Sequence, residues 1–189
     1  MISEKGKNTR EEIVNAAKML FYKRGYKRTS FNDVVTETGI CRGNINHYFK
    51  SKSDILTAVI ENRANEYISL FSSWDEKCPD AKKRIRRFLQ FIILNKDDLT
   101  CYGCPVGTLN AELGKASNDL PNAARFLFDI FIEWLTQQFS QICEPGQAKE
   151  HAMHLLCRTS GASVIAHVYN DADLIVSEIK ILEKWLAEI

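Results

Sequence analysis

The sequence predicts an all-α fold. Apolar residues recur at intervals of three and four along most of the chain, as in Ile13, Ala16, Ala17, Leu20 and Phe21 or Ile85, Phe88, Leu89, Ile92 and Ile93. That is the period at which a helix keeps one face buried. The interruptions fall on residues that end or cap helices, at Thr38-Gly39, Ser72-Ser73, Cys78-Pro79 and Pro145-Gly146. A chain of 189 residues is also long enough to bury a real core, and it carries no internal repeat or low-complexity tract. About nine helices follow from these signals. They fall into a three-helix head over residues 1–52 and a helical bundle over residues 53–189.

The first element is an amphipathic helix from Thr9 to about Arg24, opened by a Thr9/Glu12 capping box and preceded by a basic arm of Lys5, Lys7 and Arg10. Ser30 to Phe49 reads as two short helices. Ser30 is an N-cap with Asp33 completing the box, Val34 and Val35 face inward, and Gly39 supplies the left-handed turn. The second of the pair presents Arg42, Asn44, Asn46, His47 and Tyr48, anchored only by Ile45 and Phe49. A helix that polar on two apolar pegs is suited to a DNA major groove, which makes this a helix-turn-helix reading. Ser51 caps a longer helix that runs through Ile55, Leu56, Val59 and Ile60 towards Phe71 and connects the two domains.

Lys82 to Asn95 is a helix with Lys82, Lys83, Arg84, Arg86 and Arg87 on its outer, solvated face. Residues 97–107 read as a loop entering a short helix from Val106 to Leu113. Pro121 opens an apolar helix to about Ile142, and helices over about 147–169 and 174–187 finish the chain.

Charge is divided along the chain. Residues 1–60 hold 11 Lys/Arg against 6 Asp/Glu, a net of +5, while the other 129 hold 14 against 18, a net of −4. A basic head on an acidic body suits an N-terminal part that meets a polyanion. No apolar run approaches the roughly 20 residues needed to cross a bilayer. Arg10, Glu11 and Glu12 come too early for a signal peptide, so a cytoplasmic protein with no membrane partner is expected. Its six cysteines are then expected to be mostly reduced.

Residues 9–56 resemble the DNA-binding region of the tetracycline-repressor (TetR) family of bacterial transcription regulators. The residues that carry the likeness are Ile13, Ala16, Ala17, Leu20, Phe21, Gly25 and Tyr26, then Thr29-Ser30-Phe31, Val34, Gly39, Gly43, Tyr48-Phe49, Lys52 and Leu56. Two positions depart from the family pattern: Asn46 stands where a tyrosine is usual, and Cys41 where a small hydroxyl residue is common. On this reading Arg42, Gly43, Asn44 and Asn46 approach base edges, with Arg42 suited to guanine, while Ser30, Asn32, His47, Tyr48, Lys50 and Lys52 hold phosphates. The resemblance further implies a homodimer through the last two helices on a palindromic operator. It also implies a cavity for a small apolar effector among residues such as Phe88, Phe91, Ile92, Leu109, Phe126, Ile130 and Trp134. Periodicity alone does not separate such a cavity from a filled core.

The thiols offer a second input. Cys101-Tyr102-Gly103-Cys104 can form a reversible disulfide or give two zinc ligands, and Cys104 precedes a helix start, where the dipole favours a thiolate. The segment GCPVGTLNAEL is similar to one in an electrophile-responsive TetR subgroup. By that likeness Cys104 is the sensor and Cys101 its resolving partner; the alternative is that Cys104 is simply a small buried residue. His151, His154 and Cys157 recur along one helix, but their three-residue spacing drifts around it, so no metal is expected. Neither a phosphate-cradling loop nor a nucleophile–histidine–acid set is present, so no cofactor and no enzyme is expected. The rival classes are a thiol–disulfide oxidoreductase using Cys101 and Cys104, which would need a βαβ context, and a DNA-binding adaptor with no ligand.

Overall fold

The computed structural model describes residues 4–114, 120–144 and 146–189, and among these it contains ten α-helices and no strand. They are α1 (Glu4–Arg24), α2 (Phe31–Thr38), α3 (Arg42–Tyr48), α4 (Lys52–Lys77), α5 (Ala81–Leu94), α6 (Lys96–Tyr102), α7 (Pro105–Leu113), α8 (Leu120–Phe139), α9 (Ala148–Tyr169) and α10 (Asp173–Glu188). The chain divides into two compact units. One comprises the residues up to Asn65 together with Thr108–Leu127, and the other comprises Glu66–Gly107 with Phe128–Ile189.

The first unit is built on the periodicity seen in the sequence. Ile13, Val14, Ala17, Leu20 and Phe21 of α1 are buried with Val34 of α2, Ile45 of α3, Phe49, and Ile55, Leu56 and Val59 of α4. Each large side chain withdrawn from water in this way contributes about 1.5–3 kcal/mol. Helix α1 begins at Glu4, five residues before the expected start, so Thr9 lies inside the helix and does not cap it. Over the added turn the lysines at 5 and 7 favour a helix, while Gly6 and Asn8 disfavour one.

The second unit has an aromatic centre. The ring of Phe71 stacks on Trp134 with centroids 4.5 Å apart, and meets Phe131 edge-on at 5.3 Å. Trp74 and Phe88 close around them. Helices α9 and α10 pack through Leu155, Leu156, Ala166, Ile175, Ile179, Leu182 and Leu186, all buried, and a two-point ion pair joins Arg158 to Glu178.

Two expectations for this unit are corrected. Residues 96–102 are helical rather than loop. Asp97 and Asp98 complement the positive end of α6, and the Thr100 hydroxyl donates back to the Lys96 carbonyl at 2.7 Å. Arg84, expected on the solvated face of α5, is only 7 % exposed. It shares a face with the buried Phe88, four residues on, and so is carried inward. Its guanidinium donates to Gln138 Oε1 (2.6 Å), Gln141 Oε1 (2.9 Å) and the Cys78 carbonyl (2.8 Å). The Asp75 carboxylate lies 3.4 Å away and also accepts from Trp134 Nε1.

Removing that guanidinium leaves the buried Gln138 oxygen without its donor and takes one from the half-buried Cys78 carbonyl and Asp75 carboxylate. Arg84→Ala should lower unfolding stability by about 2–4 kcal/mol. Urea denaturation followed by the fluorescence of the adjacent tryptophans measures this, and a loss under about 0.5 kcal/mol would contradict the role given to the network.

Candidate nucleic-acid interface

The turn that precedes α2 sets the site. Gly25 sits at φ 87°, a backbone conformation that residues with a Cβ rarely adopt, and its carbonyl accepts from the buried Thr29 hydroxyl at 2.8 Å. Ser30 then caps α2 as its sequence suggests. Its side chain accepts from Asp33 N–H at 3.1 Å, and its own N–H donates to the Asp33 carboxylate at 2.6 Å. The Ser30 hydroxyl and then the Ser30 amide hold the Asp33 carboxyl below the usual carboxylate range. Gly39 ends α2 at φ 67°, in the left-handed region, with its N–H on the Val35 carbonyl.

Helix α3 has seven residues, of which Ile45 alone is buried, with Phe49 buried just beyond its end. Arg42, Gly43, Asn44 and His47 are exposed, while Asn46 and Tyr48 are half-buried. Cys41, at the N-cap position, makes no side-chain capping bond, in line with the poor capping chemistry of a thiol.

The expected DNA-contacting side chains also engage one another. Arg42 Nη1 donates to Asn32 Oδ1 at 2.7 Å, and its guanidinium lies over the Phe31 ring. These contacts hold the long side chain extended along the α2–α3 surface. Lys50 Nζ donates to the Asn46 carbonyl at 2.7 Å, and His47 and Tyr48 meet edge to face. Lys52 behaves differently from a surface phosphate ligand. Its ammonium is half-buried, donates to the carbonyls of Tyr26 and Thr29 at 2.9 Å each, and lies over the Tyr26 ring. Burial lowers its proton affinity, and the nearby charges of Glu112 and Asp33 oppose that shift. Lys52 thus acts first as a strut for the turn. Sequence reasoning missed Glu112 altogether, because its partners lie 85 residues away and leave no local signal.

The residues expected around an effector fall in different settings. Phe88, Ile130 and Trp134 are buried in the second unit, with Phe91 and Ile92 half-buried. Leu109 is buried in the first unit, whereas Phe126 is 49 % exposed. Cys101 is exposed in the last turn of α6. Cys104 is half-buried at the start of α7, and its Sγ accepts from Gly107 N–H at 3.4 Å. A Cβ on Gly107 would meet Cys104 Cβ at 3.4 Å and Sγ at 3.7 Å, in ordinary van der Waals contact. The rings of His151 and His154 lie tilted against Trp185, with centroids 5.5 and 4.8 Å away. Among the described residues no cluster of three His, Cys, Asp or Glu side chains is placed to hold a metal ion, and no helix is long and apolar enough to cross a membrane.

A basic head in which a glycine-ended helix precedes a short, polar, exposed helix defines a helix-turn-helix transcriptional regulator. Residues 13–59 match the family model of the bacterial regulatory proteins of the tetR family. Over 183 residues it is 26% identical to an uncharacterised HTH-type transcriptional regulator in the lacX 3' region of Lactococcus lactis subsp. lactis, covering 94% of this chain and 92% of that one. Two solved structures share the fold. A TetR transcriptional regulator from Legionella pneumophila superposes with a TM-score of 0.85 at 23% identity, covering 94% of this chain and 96% of that one. The reduced form of E. coli NemR gives a TM-score of 0.82 at 20% identity, covering 94% and 96%.

The Ser30 cap yields a two-part prediction. Ser30→Ala should destabilise the protein by about 1 kcal/mol in thermal melts. Because the folded carboxyl of Asp33 is depressed, its contribution is present above the ordinary aspartate value of about 4 and is lost as pH falls through the lower, folded value. Ser30→Ala should therefore flatten the acid limb of the stability–pH curve, and an unchanged limb would contradict the assignment.

Proposed function

We propose that this chain is a cytoplasmic, homodimeric transcriptional repressor that binds a palindromic operator and is released by a small effector. In this division residues 1–52 read DNA, and residues 53–189 dimerise and sense. The observation that carries the reading is α3, whose exposed residues Arg42, Asn44 and His47 project from a helix with a single buried peg. Arg42 and Asn44, with Gly43 allowing close approach and Asn46 beside them, suit base edges. Ser30, Asn32, His47, Tyr48 and Lys50 suit phosphates, and Lys52 supports the turn from behind.

Dimerisation is supported by an apolar surface that the chain's own core leaves open. Val164, Ile165, Val168 and Tyr169 on α9 and Ile181 on α10 are 49–73 % exposed. The stripe of Ile175, Ile179, Leu182 and Leu186, by contrast, is consumed within the chain. An exposed apolar face of this kind marks a protein interface, and a two-fold pair of short recognition helices matches a palindrome.

The cap made by Cys104 on α7 favours a thiol input beside the apolar effector. Oxidation or alkylation would add a substituent to the Sγ that Gly107 N–H uses, displacing that contact and loosening the first turn of α7.

Three measurements test this reading. Fluorescence anisotropy on the gene's upstream DNA should show Arg42→Ala losing about 1–3 kcal/mol on the operator with little change on scrambled duplex; equal losses on both would sink the base contact. Val168→Asp combined with Ile165→Asp should convert a dimer to a monomer in sedimentation velocity, and a dimer that survives both changes would relocate the interface. A mild thiol oxidant should release DNA from the wild type but not from Cys104→Ser, and release from both would clear Cys104 of a sensing role.

A further inference from the structure

The turn at residues 25–29 is gripped from two sides. On one side Lys52 takes the carbonyls of Tyr26 and Thr29. On the other, Glu112, in the last turn of α7, accepts from Lys27 N–H through Oε2 at 3.1 Å. Its second oxygen occupies the space beside Gly25, where a Cβ would come within 2.3 Å of Oε1. Gly25 therefore serves both the positive φ and the approach of the carboxylate. The turn has opposite charges on its opposite backbone groups, ammonium to carbonyls and carboxylate to amide, and each arrangement is the favourable one. One residue after Thr29 comes Ser30, the cap of α2, and α2 leads through Gly39 to α3. Glu112 and the turn lie in the same compact unit although 85 residues separate Glu112 from Lys27.

We propose that Glu112 is a positioning residue for DNA binding, a clasp on the 25–29 turn that fixes the pose of α2 and α3 and makes DNA affinity depend on the placement of residues 108–114. This rests on the DNA-binding reading of α3. A closed clasp presents the head already ordered, so the cost of ordering it is not taken from the binding free energy. Glu112 is an anion and offers no cation to a phosphate, so opening the clasp changes affinity without changing the number of counterions released.

The test compares wild type, Glu112→Ala and Glu112→Gln by anisotropy on operator and scrambled duplexes at several salt concentrations, with amide hydrogen exchange at Lys27 measured in parallel. Glu112→Ala should weaken operator binding by about fivefold with an unaltered salt slope, and should speed exchange at Lys27. Glu112→Gln keeps an oxygen acceptor for the Lys27 amide and should recover most of both. Affinity within twofold of wild type for Glu112→Ala, a Gln variant as weak as the Ala variant, or a Lys27 amide unprotected in the wild type would each overturn the clasp. Should Glu112→Ala not fold, wild-type exchange at Lys27 and the affinity of Glu112→Gln decide the matter. A wild type that binds no duplex overturns the DNA-binding reading and the coupling with it, and the Lys27 amide then shows separately whether the contact exists.

Discussion

A tight turn between helices carries backbone donors and acceptors that the helices cannot satisfy, and the head of this protein depends on how that need is met between Gly25 and Thr29. Thr29 turns its hydroxyl back onto the Gly25 carbonyl from a fully buried position. Lys52 supplies a cation to two further carbonyls, and Glu112 an anion to the Lys27 amide. A buried polar group without a partner costs a sizeable fraction of a domain's net stability, so Thr29 and Lys52 are as much part of the fold as the buried Ile13 and Leu20 of α1. Everything downstream, from the Ser30 cap to the emergence of α3, starts from the direction this turn gives the chain.

The second unit is organised by a comparable logic around a different group. Arg84 enters the interior on the apolar face of α5 and finds Gln138, Gln141, Asp75 and the Cys78 carbonyl waiting. Asp75 is shared with the Trp134 indole N–H, which ties the polar network to the stacked rings of Phe71 and Trp134. Charge, amide and aromatic groups thus fix the relative rotation of α5 and α8, where a purely aliphatic contact would tolerate sliding. The resemblance pointed to Phe88, Ile130 and Trp134 as cavity wall; in the structure the same residues are buried, and Phe88 and Trp134 stand beside this network.

What the sequence makes legible follows the range of the interaction. The Ser30/Asp33 box, the left-handed Gly39, the Ile45 and Phe49 anchors and the weak cap at Cys41 are all set by neighbours within four residues, and all stand as their sequence implies. The basic head and its polar exposed helix are equally local. Arg84 and Glu112 were not legible in this way, because a charged residue between apolar ones reads as solvated until its distant partners are known. Helix α6 was obscured by the turn-forming look of its aspartates and glycine, although the same aspartates stabilise a helix start. The earlier start of α1 shows that a capping pattern can fall inside an element without starting it.

Helix α3 rests on two apolar side chains, Ile45 within it and Phe49 after it, and turns nearly everything else outward. Surface substitutions away from packed or paired groups change stability by about half a kcal/mol or less. Positions 43, 44 and 47 can therefore drift while the head stays folded, and position 42 can do so at the cost of its bond to Asn32. Duplicated copies of such a gene could diverge in the sequences they read long before they diverged in how they fold, since the groups that discriminate between bases and the groups that hold the helix in place are different residues.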